Sequence, residues 1–125
     1  MRRASIGLLG LIVVFACGGG GGGESISGDD LVVDMFDNRY EVTEVNVTVG
    51  GTVSFVGAGR NPHNAVAADG SWSTEDVFGS LEQLEGDEAV LTFDEPGEYP
   101  FFCTFHGNAD GDGMAGTLVV APAGE

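Results

Sequence analysis

Two histidines, one cysteine and one methionine carry the clearest chemistry in this chain. His63 stands in Asn61-Pro62-His63-Asn64, and Cys103, His106 and Met114 follow forty to fifty-one residues later. No other histidine is present. Thiolate and thioether sulfur are soft and favour Cu(I), while imidazole nitrogen also suits Cu(II). Two imidazoles and one thiolate in a trigonal plane, under a long thioether bond, describe a blue-copper electron-transfer site. Such a mixed set serves both oxidation states with little rearrangement, as fast one-electron exchange requires. Plainer roles exist for each residue. His63 follows a proline and could occupy a surface turn, His106 could be a loop histidine, Asn64 a turn-former and Met114 core packing. Trp72, Phe101, Phe102 and Phe105 read as core or rim aromatics.

The elements that must position these residues read as β. Val45, Val47 and Val49 alternate with polar residues, Gly50-Gly51 marks a turn, and Thr52 to Val56 alternates again, so residues 45–56 predict a hairpin. Leu31 to Val33, His63 to Ala67, Val90 to Phe93, Tyr99 to Phe102 and Thr117 to Val120 are further strand candidates, and Thr74 to Val77 allows a short helix. Many short strands separated by turn signals imply an all-β, antiparallel sandwich or barrel.

At these residues the chain resembles the plastocyanin-like cupredoxins. The segment Pro96-Gly-Glu-Tyr-Pro-Phe-Phe-Cys-Thr-Phe-His106 followed by Gly113-Met-Ala-Gly-Thr-Leu-Val-Val120 is similar to that family's closing ligand loop. Pro62-His63-Asn64 is similar to its first-histidine motif, and Val47 to Phe55 to its early hairpin. The resemblance covers residues 31–122 and implies a Greek-key cupredoxin fold with one type 1 copper ion. It implies His63 and His106 as nitrogen ligands, Cys103 as the thiolate and Met114 as the axial ligand. It further implies that Asn64 braces the cysteine loop and that His106 is the partly exposed edge through which electrons pass. Seven residues, Gly107 to Gly113, separate His106 from Met114, more than the family pattern has. Asp110 and Asp112 would stand beside the histidine edge, where the family commonly presents an apolar patch.

The N-terminus sets the expected compartment. Arg2 and Arg3 precede an apolar run from Ile6 to Ala16, the form of a secretory signal, and eleven residues are too few to cross a bilayer. Val14-Phe15-Ala16-Cys17 resembles a lipobox, with Cys17 as the lipidated residue; pairing of Cys17 with Cys103 in an oxidising compartment is the alternative. The expected organisation is a signal peptide over 1–16, a lipid-anchored glycine-rich linker over 17–30, one domain over 31–122 and a tail over 123–125. The protein is then placed outside the cytoplasm, tethered to the cell membrane on its periplasmic or extracellular face.

Cleavage would leave Arg39 and Arg60 as the only strong cations against 20 acidic residues, with no lysine anywhere. Nucleic acid is excluded as a partner, because its phosphates demand a basic face. An anionic membrane surface would repel the domain, so the lipid must supply attachment. The acidity either steers a cationic partner or keeps the protein soluble at high salt. Two histidines cannot furnish a multicopper oxidase or a copper nitrite reductase, so no enzyme is expected. The loop Asn108 to Gly113 imitates the first half of a calcium site, but its closing position falls on Val119, which cannot ligate. The leading expectation is a monomeric one-electron carrier between a redox protein donor and acceptor, such as a cytochrome or a membrane oxidoreductase. A copper-delivery protein that does not cycle electrons is the alternative.

Overall fold

A computed structural model describes residues 24–123. The signal segment and Cys17 lie outside the described residues. Seven strands and one short helix follow in the order β1 Ser25–Phe36, β2 Arg39–Tyr40, β3 Glu44–Gly57, β4 Val66–Ala67, α1 Glu75–Phe78, β5 Glu88–Phe93, β6 Gly97–Gly107 and β7 Gly113–Ala121. The hydrogen-bonded path runs β2-β1-β3-β7-β6-β4, with β5 on β3. No helix among the described residues is long and apolar enough to cross a membrane.

The all-β class expected from the sequence is the one observed, but three local expectations need correction. Residues 45–56 do not form a hairpin. They belong to one long strand, β3, whose Glu44–Thr48 half pairs with β7 and whose Gly51–Val56 half pairs with β5. Gly50-Gly51 is the corner between those halves: Gly50 has φ +85, and a Cβ on Gly51 would come within 2.6 Å of the Asp29 carbonyl. The turn signal was real, but it marks a corner within one strand, between its β7-paired and β5-paired halves, and not a reversal.

The pairing is also mixed, with β1 parallel to β3 and β3 parallel to β7. An alternating pattern fixes which side chains face inward and says nothing of a partner's direction. Finally, β1 starts at Ser25, and Ser25 to Gly28 pair with Glu44 to Val47. The polar stretch 25–30 therefore belongs to the sheet and not to the linker. Its backbone bonds satisfy it where its side chains could not bury much.

Alternation builds the core. Val45, Val47, Val53 and Phe55 on β3, Leu91 and Phe93 on β5, and Leu118 and Val120 on β7 all face inward and are buried. Phe101 on β6 meets Tyr40 edge-on with ring centres 4.9 Å apart, and Phe55 at 5.7 Å. Trp72 stacks on Phe55 at 5.9 Å. Each fully buried side chain of this size contributes on the order of 2–3 kcal/mol. The cluster gives the loops at one end of the sheets a rigid floor.

Candidate metal centre

His63 lies in the connection between β3 and β4 and is fully buried. Its backbone exchanges two hydrogen bonds with Gln83, His63 N to Gln83 O and Gln83 N to His63 O, both 3.1 Å. Its ring Nε2 stands 2.9 Å from Asp37 Oδ1. The other ring nitrogen, Nδ1, is buried and has no hydrogen-bond partner. Asp37 accepts a second bond from the Asn61 N–H at 3.1 Å. That backbone bond, and then the bond with His63, hold the Asp37 carboxyl down at about 2.

Asn64, also fully buried, connects this segment to β6. Its Nδ2 donates to Thr104 Oγ1 at 2.8 Å and to the Leu81 carbonyl at 2.9 Å, while its Oδ1 accepts from the Thr104 N–H at 2.9 Å. Thr104 is the residue after Cys103, so the clip ties the chain beside His63 to the chain beside the cysteine. Tyr40 adds a third tie, its hydroxyl donating to the Asn64 carbonyl at 2.7 Å. Burial pushes the Tyr40 phenol well above its usual range, and the neighbouring Cys103 adds to the rise.

Cys103 is fully buried and forms no disulfide among the described residues. The β6–β7 ladder shows why it, His106 and Met114 come to one place. Phe102 pairs with Ala115 and Gly107 with Gly113, so the four residues 103–106 on β6 face only Met114 on β7. This is an enlarged bulge, a device that re-aims side chains at the end of a sheet. The long loop leaves Met114 opposite this bulge. Its extra residues are extruded beyond the Gly107–Gly113 pair as a turn, in which Asn108 Oδ1 accepts from Asp110 N at 2.9 Å and Asp112 N at 3.2 Å. Met114 re-enters the sheet opposite the bulge with 1% of its surface exposed.

The rings of His63 and His106 lie 5.0 Å apart, centre to centre. His106 Nε2 is buried without a partner, like His63 Nδ1. Buried polar nitrogens normally find partners, so these two, like Trp72 Nε1 and Gln83 Oε1, stand out, and on adjacent imidazoles they are free to act as donors. A buried thiol and a thioether in the same bulge complete a soft, copper-compatible donor set. The fit is one of donor chemistry and neighbourhood. Among the described residues, no three His, Cys, Asp or Glu side chains are drawn tightly enough to enclose a metal ion as they stand.

Sequence reasoning missed Asp37, Gln83, Tyr40 and Thr104, all of which grip the His63 side. Asp37-Asn38 is a legible turn signal, but nothing in the sequence ties it to a histidine 26 positions later.

A mixed β-sandwich with His, Cys and Met gathered at one end through an enlarged bulge defines the cupredoxin class. Residues 30–121 match the family model of copper binding proteins, the plastocyanin/azurin family, and the chain belongs to that family. It is 34% identical over 76 residues to amicyanin of Paracoccus denitrificans, covering 61% of this chain and 57% of the relative. It is 35% identical over 82 residues to amicyanin of Paracoccus versutus, covering 65% and 61% respectively. The matched region thus spans about three fifths of those relatives. Among solved structures, a reduced amicyanin variant superposes with TM-score 0.55 at 31% identity, over 72% of this chain and 80% of that one. A copper nitrite reductase from Thermus scotoductus shares the fold, with TM-score 0.58 at 24% identity, over 72% of this chain and 22% of that one. The family's cofactor, and this chain's, is a single type 1 copper ion.

Proposed function

We propose that this chain is a one-electron carrier working outside the cytoplasm, with copper held by His63, Cys103, His106 and Met114. The paired orphan nitrogens of His63 and His106, on rings 5.0 Å apart, carry this reading. Copper bound there supplies one-electron exchange between Cu(I) and Cu(II). The chain's own contribution is rigidity. Asn64 locks the backbone after Cys103, and Gln83 locks that of His63, so the donors keep their places in either state. His106 is only half-buried and is followed by an exposed loop, which makes its edge the exit for the electron. Phe105 beside it is 43% exposed and widens the same face.

The partners in this reading are a redox protein donor and acceptor, a cytochrome or a membrane oxidoreductase, met by a monomer. Signal cleavage before Cys17 and lipidation of that residue would hold the domain on the membrane through residues 18–24, a tether spanning on the order of 15 Å. The exposed carboxylates of Asp110 and Asp112 stand next to the exit edge, and salt dependence of the electron-transfer rate will tell partner steering from solubility. An enzymatic role is not proposed, because the two histidines are the chain's whole supply.

Adding Cu(II) to the purified protein tests the reading. An intense blue band, bleached by mild reductant and lost in Cys103→Ser, is the expected result. A colourless Cu(II) form that passes Cu(I) to an acceptor would instead make this a copper-delivery protein.

A further inference from the structure

We propose that Asp37 is a positioning residue for the copper site, accepting the His63 Nε2–H and so dedicating Nδ1 to the metal. The inference rests on the reading of His63 as a copper ligand. Asp37 occupies the two-residue turn between β1 and β2, where Asn38 adopts φ 70 and lets the chain reverse at once. From there its Oδ1 reaches His63 Nε2 at 2.9 Å and the Asn61 N–H at 3.1 Å. This is the one carboxylate–imidazole contact of that length among the described residues, and its histidine partner is fully buried.

A carboxylate can only accept hydrogen bonds, so a neutral His63 facing it must carry its proton on Nε2. The lone pair then resides on Nδ1, the nitrogen left buried and unbonded. The strand pair β1–β2 thereby selects the tautomer of a residue in another loop. Room for the carboxylate comes from Gly59, where a Cβ would overlap the Asp37 side chain and lie 2.8 Å from its backbone nitrogen. The bond also raises the donor strength of the imidazole, which favours Cu(II) over Cu(I) and lowers the reduction potential.

A role confined to bracing the 59–61 loop would need only the bond to Asn61. Asp37→Asn can still accept that bond but lacks the charge, whereas Asp37→Ala lacks both. The test uses the full chain with Cu(II) and follows two readouts. Nitrogen NMR of the metal-free protein should show His63 as the Nε2–H tautomer in the parent and as a mixture in Asp37→Ala. Cu(II) affinity should fall about 10–100-fold in Asp37→Ala, and each tenfold loss confined to Cu(II) reads as a rise of about 59 mV in potential. Asp37→Asn should raise the potential by less while keeping the parent's unfolding midpoint, and Gly59→Ala should behave like Asp37→Ala. An unchanged potential in Asp37→Asn together with an unchanged tautomer in Asp37→Ala overturns the proposal. His63→Ala separates the two readings. If it keeps the blue band, His63 is no ligand and both fall; if it loses the band while the Asp37 variants match the parent, only the role of Asp37 falls.

Discussion

His63 and His106 stand 5.0 Å apart, yet the chain holds them by opposite means. His63 is fixed by residues from three distant segments: Asp37 on its ring, Gln83 on its backbone, and Thr104, to which the adjacent Asn64 is clipped. His106 is held locally. It ends the bulge in β6, its ring is half-buried, and the turn that follows bonds mainly to itself through Asn108. One side of the site is a tertiary frame and the other a hairpin tip. In the proposed carrier that division would let the framed side keep the metal geometry constant while the tip stays open to a partner. The difference also says where metal matters most to order, since the tip has fewer long-range ties to fall back on.

Removing copper should produce the largest effect. With free metal at a thousand times its dissociation constant, the loaded protein gains about 4 kcal/mol, to be measured by unfolding with and without chelator. Hydrogen exchange in the metal-free form should quicken at residues 104–107 and leave the His63 amide, bonded to Gln83, protected. Equal loss on both sides would erase the contrast. Asn64→Ala comes next. It removes three part-buried hydrogen bonds, including the one that takes up the Thr104 N–H, a cost of about 1–3 kcal/mol in urea unfolding.

Met114→Leu is a volume-conserving swap and should cost under about 1.5 kcal/mol. It should raise the reduction potential while the blue band persists. A potential that does not move would remove Met114 from the axial position. Smallest is Asn108→Ala, which loosens the exposed turn by about 0.5–1 kcal/mol. It should alter partner rates more than the spectrum. A large spectral change there would mean the tip shapes the metal site after all.

The residue types of the site were legible because chemistry restricts them. Only His, Cys and Met supply these donors, and the chain has two histidines in all. Asp37 was not legible, since an aspartate before an asparagine in an acidic chain looks like any turn. The strands of β5, β6 and β7 could be read from short apolar runs bounded by turn signals. The role of Gly50-Gly51 could not, because a glycine pair permits a reversal and a corner equally, and only the partners of the two halves of β3 decide between them.

By itself, then, the sequence determined which faces are buried, which donors exist and that they are soft enough for copper. Local pattern suffices for that, because side-chain alternation and ligand chemistry belong to single residues and their near neighbours. The tertiary structure alone decided the parallel pairing of β1, β3 and β7, the return of Met114 opposite the bulge after a long loop, and the grip of Asp37 on His63. Each of those depends on which remote segments meet, and that is fixed by how the buried faces pack against one another.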